Sequence, residues 1–148
     1  MLRERYGEES DAHLARMFEV SGLRFNPPEE VPRSRRALEV TELARDLGLH
    51  EQVHDRLMRA YWSEAQNIGE DEVLLALVEE AGLDRAEAEA ALGDGRYVER
   101  VEASTASANR IGINAIPAFV LGGRLLVLGA QPHDLFERAV AELETAPT

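Results

Sequence analysis

A chain of 148 residues with 45% hydrophobic and 30% charged residues can bury one sizeable core, and its composition excludes low-complexity and membrane classes. Its 28 acidic residues against 16 basic ones leave a net charge of −12, which repels phosphate backbones and argues against nucleic acid as a partner. Cysteine is absent, which removes disulfides, thiolate nucleophiles and cysteine metal sites together. No run reaches the roughly 18 apolar residues of a membrane span, and Met1 to Ser10 is charged rather than signal-like, so no membrane partner and a cytoplasmic location are expected.

Helices dominate the first part of the chain. Ser10 is placed to cap one running to Ser21, with Leu14, Met17 and Phe18 at core spacing, and Pro27-Pro28 and Pro32 make the following link stiff. Ser34 is the expected cap of the next, which carries Leu38, Thr41, Leu43 and Ala44 before Gly48 ends it. From His50 to Gln66 a further helix puts Val53, Leu57, Ala60 and Tyr61 on one face. After a break at Asn67 to Gly69, Glu70 to Ala81 and Arg85 to Leu92 form a short pair, the second capped at Asp84. Tyr97 to Ile111 delivers the chain to Pro117, and Pro132 to Leu143 closes it with Leu135, Phe136, Val140 and Leu143 inward.

Between those last two helices lies a hairpin. Ala118 to Leu121 and Leu125 to Leu128 are short apolar runs joined through Gly122-Gly123, a dipeptide that reaches the positive φ of a tight two-residue turn. Neither run alternates apolar with polar, so both strands are expected to be buried on both faces. Pro117 heads the first strand, where a residue without an N–H is tolerated. Ile116-Pro117 is also a place where a cis peptide would present a bare backbone edge to a ligand.

Three other groups of residues invite chemistry. His50-Glu51-Gln52-Val53-His54 matches H-E-x-x-H, in which histidines at i and i+4 share a helix face for zinc and the glutamate serves as general base. No third ligand is marked, since His13 and His133 lie far away in sequence, and half-buried histidines at a helix start are the competing account. In Tyr61-Trp62 the tyrosine is expected in the core and the tryptophan at a cleft or interface. Arg33, Arg35 and Arg36 either clamp an anion or pair with surplus acids.

The run from Gly112 to Leu143 resembles the C-terminal part of the DsbA-like branch of the thioredoxin fold. The matching residues are Gly112, Ile113, Ala115, Ile116, Pro117, Phe119 and Val120, then Gly122 and Gly123, then Gly129, Ala130, Gln131 and Pro132. The Gly-Ala-Gln-Pro turn is similar to that of the FrnE-like group, whose members are described as thiol-disulfide oxidoreductases or as similar to 2-hydroxychromene-2-carboxylate isomerase. Leu2 to Gly7, Gly22 to Asn26, Ser34 to Ala37, Arg59 to Trp62, Asn67 to Gly69 and Gly82 to Asp84 look like landmarks of the helical segment that this group inserts into the fold.

The resemblance implies an α-rich α/β chain with an incomplete thioredoxin-like fold of DsbA type. A single domain, 1–148, is expected, with a helical segment over 2–111 and the hairpin and closing helix over 112–144. A complete member begins with a strand, a helix opening on Cys-x-x-Cys and a second strand, all before the point matching Leu2. Substrate contacts are then expected at Ala115, Ile116, Pro117, Gln131 and Trp62, with no catalytic residue, no metal and no cofactor. Thiol exchange needs a sulfur nucleophile, so this chain by itself is expected to be redox-inactive and to act in binding a protein or peptide and in assembly. An open strand edge at Ala118 to Leu121 would take a second copy, giving a homodimer, or a complementing N-terminal fragment. The alternatives are a zinc-dependent hydrolase built on His50, Glu51 and His54, and a glutathione-type isomerase relative.

Overall fold

The computed structural model describes residues 8–114, 116–129 and 131–145. Helices α1 (Glu8–Val20), α2 (Arg35–Asp46), α3 (His50–Ser63), α4 (Asp71–Glu80), α5 (Arg85–Asp94) and α6 (Val98–Arg110) lead to strands β1 (Ala118–Leu121) and β2 (Leu125–Leu128), and helix α7 (His133–Thr145) follows. The chain divides into two compact units, Met1–Glu102 and Ala103–Thr148, and the division falls inside α6.

In the first unit α2, α3, α4 and α5 pack in a ring, α2 on α3, α3 on α4, α4 on α5 and α5 on α2, with α2 also touching α4. The sequence explains why α4 is shared by its neighbours: Leu74, Leu75, Leu77 and Val78 are all buried, a face too wide for one partner. They meet Val40, Leu43 and Ala44 of α2, Val53, Leu57 and Ala60 of α3, and Ala88, Ala91 and Leu92 of α5, with Ile68 and Leu83 from the links. Tyr61 packs against this core from its rim, and the face expected for α3 is the one buried.

Helix ends follow local chemistry at some positions and depart from it at others. The Asp84 carboxylate accepts the Glu87 N–H at 2.8 Å and so caps α5, which ends at Gly95 in the left-handed region, φ 66°. Ser34 sits at the cap position of α2 but makes no side-chain cap bond: its backbone, φ −79° and ψ 0°, is not in the extended conformation that aims a hydroxyl at the first turn. Ser10 lies inside α1 rather than at its head.

On α2 the buried stripe is Ala37, Val40, Leu43 and Ala44, while Leu38 is 49% exposed and Thr41 turns its hydroxyl onto the Ala37 carbonyl at 2.7 Å. The core face thus lies about one position away from the expected one, since Leu38 keeps helical spacing to Thr41 and Val40 to Leu43 and Ala44, and the neighbouring helices choose between the two stripes.

The end of α3 carries a strained residue. Ala65 has φ 56°, and the Gln66 N–H reaches back to the Ala60 carbonyl at 2.9 Å, closing the last turn. An L-residue with a Cβ pays roughly 1–2 kcal/mol in that conformation, whereas glycine there loses about 0.4–1 kcal/mol of unfolded-state restriction. Ala65→Gly is therefore expected to raise stability by roughly 0.5–1 kcal/mol, read as a higher thermal midpoint; an unchanged or lower midpoint would show that Ala65 carries no strain.

The link from α1 to α2 is tied down by backbone bonds. The Asn26 N–H donates to the Trp62 carbonyl at 2.7 Å, and the Ser63 hydroxyl donates to the Arg24 carbonyl at 2.7 Å. At its far end, at Arg33, a Cβ on Gly69 would lie 3.0 Å from the Arg33 nitrogen, so the main chain would have to give by a few tenths of an ångström to admit a larger residue.

In the second unit β1 and β2 form a two-stranded antiparallel sheet with Ala118 opposite Leu128, Phe119 opposite Val127, Val120 opposite Leu126 and Leu121 opposite Leu125. Three residues separate the strands. Gly122 and Gly123 take φ 56° and 66°, and the Arg124 N–H closes the turn on the Leu121 carbonyl at 3.1 Å, leaving Arg124 outside the ladder. Phe119 and Val127 share one face of the pleat, and Phe119 meets Phe136 of α7 edge-on at 4.9 Å. Val127 and, on α7, Ala139 are buried, whereas Val140, expected inward, is 45% exposed. The strands are not buried on both faces: Val120 is 48% and Phe119 39% exposed.

Candidate functional site

The backbone of β1 divides its hydrogen-bonding groups between two sides. The Gly129 N–H donates to the Pro117 carbonyl at 2.7 Å, which makes Pro117 and Gly129 face each other across the hairpin. In an antiparallel ladder, alternate residues bond to the partner, so Phe119 and Leu121 also point their groups at β2 while Ala118 and Val120 point theirs away. Among the described residues no strand pairs with that outer side. Pro117, which has no N–H to offer, stands on the inner side.

The peptide bond Ile116–Pro117 is cis. The Ile116 side chain is 80% exposed, so an apolar group stands in water immediately before the open edge. Gln131 folds back across the start of the closing segment and donates from Nε2 to the Leu128 carbonyl at 2.8 Å. Ile116, Pro117 and Gln131 are thus held at one end of the hairpin, Gln131 through the end of β2. Ala115 lies outside the described residues, as do Ala130 and the Leu2 to Gly7 landmark.

Trp62 belongs to the first unit, where it has ring neighbours. Its ring lies 5.7 Å from Phe18 and 6.1 Å from Phe25, stacked on the latter, and 4.7 Å from Tyr61, edge-on. Phe18 and Phe25 touch at 5.2 Å, so the cluster fastens α1 and the link after it onto the end of α3.

The histidines of the H-E-x-x-H segment stack, with ring centroids 5.8 Å apart and planes 16° from parallel. Nη2 of Arg45 lies 3.0 Å from Nε2 of His50. A guanidinium only donates, so this nitrogen is the acceptor and its lone pair is engaged. Nδ1 of His54 is 3.7 Å from the Asp55 carboxylate, and among the described residues no group of three metal-ligating side chains comes together.

Two arginines of the Arg33 to Arg36 stretch, Arg35 and Arg36, meet acids. Arg36 pairs with Asp71, and Arg35 pairs with Glu102 and, at 3.7 Å, with Glu39, an acid buried on α2 that sequence reasoning did not single out. A second network joins α2 to α6. Asp46 accepts from Nη1 of Arg100 at 2.8 Å and from the Tyr97 hydroxyl at 3.0 Å, and Arg100 also reaches Glu42 at 3.3 Å. The bond from Arg100, then that from Tyr97, holds the Asp46 carboxyl below its ordinary value of 3.8. Burial, reinforced by the bond to Asp46, pushes the Tyr97 phenol up.

A folded-state carboxyl with a depressed pKa adds stability above its unfolded value and loses it as pH falls through the folded one. The stability difference between the parent protein and Asp46→Asn is therefore expected to be present at neutral pH and to shrink as pH drops below the ordinary value of 3.8. Chemical denaturation at several pH values reads it; a difference constant with pH would mean that the Asp46 charge contributes nothing.

The elements and their order define the class: a helical segment, an antiparallel hairpin entered through an X-Pro bond, and a closing helix make up part of a DsbA-type thioredoxin-like fold. Comparison with known proteins agrees. Residues 4–141 match the family described as DSBA-like thioredoxin domain, and the chain belongs to that family. It is 32% identical over 130 residues to the protein YwbO of Bacillus subtilis (strain 168), covering 85% of this chain and 64% of that one. The crystal structure of a probable DsbA oxidoreductase from Streptomyces coelicolor superposes with a TM-score of 0.87 at 29% identity, over 100% of this chain and 67% of that one. The chain thus spans about two thirds of the length of each of these proteins. Among the described residues no helix is long and apolar enough to cross a membrane.

Proposed function

We propose that this chain is the substrate-docking and assembly part of a DsbA/FrnE-like thiol-disulfide oxidoreductase and that, by itself, it carries out no thiol exchange. Exchange begins when a thiolate attacks a disulfide sulfur, and no residue of this chain supplies that sulfur. What the chain offers is backbone. The single observation that carries the reading is the outer side of β1, where Ala118 and Val120 direct their N–H and C=O groups away from β2 behind the exposed Ile116.

An extended polypeptide docks on such an edge by main-chain bonds, with neighbouring side chains setting preference. Ile116 and Pro117 contact the polypeptide, and Gln131 contributes by fixing the end of β2. The same edge, from Ala118 to Leu121, serves as the assembly surface. A cytoplasmic location accords with a chain that needs no disulfide. The zinc-hydrolase alternative has the Arg45 guanidinium against it, since that group occupies the His50 lone pair a metal would need.

Two measurements test the reading. In a disulfide-reduction assay with added dithiol the purified chain is expected to give no rate above the dithiol alone. A fluorescent unfolded peptide is expected to bind, and Ile116→Asp to weaken it about tenfold by placing a charge at the head of the edge. Oxidoreductase turnover by the chain alone, or the absence of peptide binding, would overturn it.

A further inference from the structure

We propose that the first half of α6 is an ion-held clamp: a charged stripe on α2 grips residues 97–102, and screening or removing those charges frees this part of α6 while the helical ring stays folded. The clamp is independent of what the hairpin binds.

The stripe is written in the spacing of α2. Arg35, Glu39, Glu42 and Asp46 follow one another at i, i+4, i+7 and i+11, so they line one side of the helix from its first residue to its last, beside the buried stripe Ala37, Val40, Leu43 and Ala44. Arg35 pairs with Glu102 of α6 and also stands 3.7 Å from Glu39, so one guanidinium serves an acid on each helix. The Arg100 guanidinium of α6 lies 3.3 Å from Glu42 and 2.8 Å from Asp46. Asp46 accepts the Tyr97 hydroxyl as well, at 3.0 Å, and the same guanidinium stands 5.8 Å from the centre of the Tyr97 ring. Arg45 backs Glu42 from within α2 at 3.5 Å.

Charge decides this joint, whereas packing decides the ring. Of residues 98–102 only Val101 is buried, and Tyr97 is half-buried at the rim of the core. The helices α2 to α5 bury apolar faces on one another, so their ion pairs, Arg36 with Asp71 and Arg56 with Glu80, are additions to a core that stands without them. A single exposed pair contributes little, but here four charged groups and a phenol share partners across two helices. That the Asp46 carboxyl is held below its ordinary value, by Arg100 first and Tyr97 second, agrees with a charge that the docked arrangement uses. Exposed charges lose one another when the screening length falls to about 3 Å, at about 1 M salt, and apolar burial does not.

Hydrogen exchange on the whole chain tests the clamp. A helix of 13 residues is marginal in water by itself, so amide protection in the first half of α6 reports its docking. Those amides are expected to open about tenfold more often in about 1 M sodium chloride than in low salt, with α2 to α5 unchanged. Arg100→Met, which keeps the side chain's length and drops its charge, is expected to give a similar gain in low salt and to respond little to added salt. Arg100→Lys, which keeps the charge, is expected to restore part of the protection. Glu99→Gln removes a charge from the same turn outside the seam and is expected to change nothing.

Protection in α6 that neither salt nor Arg100→Met alters would show that packing holds the helix. Loss in α2 to α5 together with α6 would show that ring and clamp open as one. A loss with Glu99→Gln as large as with Arg100→Met would make net charge, and not the seam, the cause. Each of these outcomes would overturn the clamp, and none bears on peptide binding at Ile116.

Discussion

Leu74→Ala is expected to lower the unfolding free energy of the helical unit by about 3–5 kcal/mol, the upper part of the range for emptying a leucine site. Leu74 is 0% exposed and lies in the first turn of α4, the helix packed against α2, α3 and α5. The core around it draws Leu43 from α2, Val53 and Leu57 from α3 and Ala88 from α5, all at or near complete burial, so no single helix can move in to fill the space without uncovering another face. The loss then includes a cavity as well as the lost transfer energy. Against a typical total of about 5–15 kcal/mol it is a large fraction of stability. Urea denaturation followed by far-ultraviolet circular dichroism measures it, with Leu38→Ala, on the exposed side of α2, as the comparison expected to cost well under half as much. Equal losses at the two positions would mean that the core is not where the helical ring places it.

Those two leucines also mark where the sequence stops speaking. Which segments are helical was legible throughout, and α5 shows chemical ends, since Gly95 takes a conformation that ends a helix and Asp84 begins one by accepting the Glu87 N–H, whereas Ser34 and Ser10 did not give the caps expected of them. Which face turns inward was legible on α3, whose Val53, Leu57 and Ala60 leave only one apolar stripe. It was not legible on α2, where Leu38 and Val40 offer overlapping stripes and the choice is made by α3, α4 and α5. Burial of Glu39 was hidden for the same reason, since its partner Arg35 lies on its own helix but the cover comes from elsewhere in the fold. In the hairpin an apolar run was equated with burial on both faces, whereas a run of this kind states only what a strand tolerates, and Val120 remains half in water. At the candidate site, Ile116 and Pro117 stood out because a family pattern surrounds them. The bond from Gln131 to the Leu128 carbonyl depends on the turn between β2 and α7, and side-chain type alone does not specify that geometry.

Val127→Asp is expected to unfold the hairpin while leaving the helical ring protected. Val127 is buried beneath α7, on the face where Phe119 meets Phe136, so a carboxylate there must lose its water without a designed partner or force the strands open. Either route costs several kcal/mol, more than a sheet of two four-residue strands can supply from its own ladder. The helical unit has no such dependence, since every residue of its core cluster lies between Ala37 and Leu92. Hydrogen exchange read segment by segment separates the two: amides of Ala118–Leu121 and Leu125–Leu128 are expected to lose their protection, and those of α2 to α5 to keep it. Val127→Ala, which removes volume without adding charge, is expected to lower hairpin protection only partly. Joint loss in both units would mean that the chain folds as one cooperative body, and the candidate docking edge would then draw its rigidity from the helices. Selective loss would make the edge's order a property of the hairpin and α7 alone, where Val127 and Ala139 are buried and Phe119 meets Phe136 edge-on.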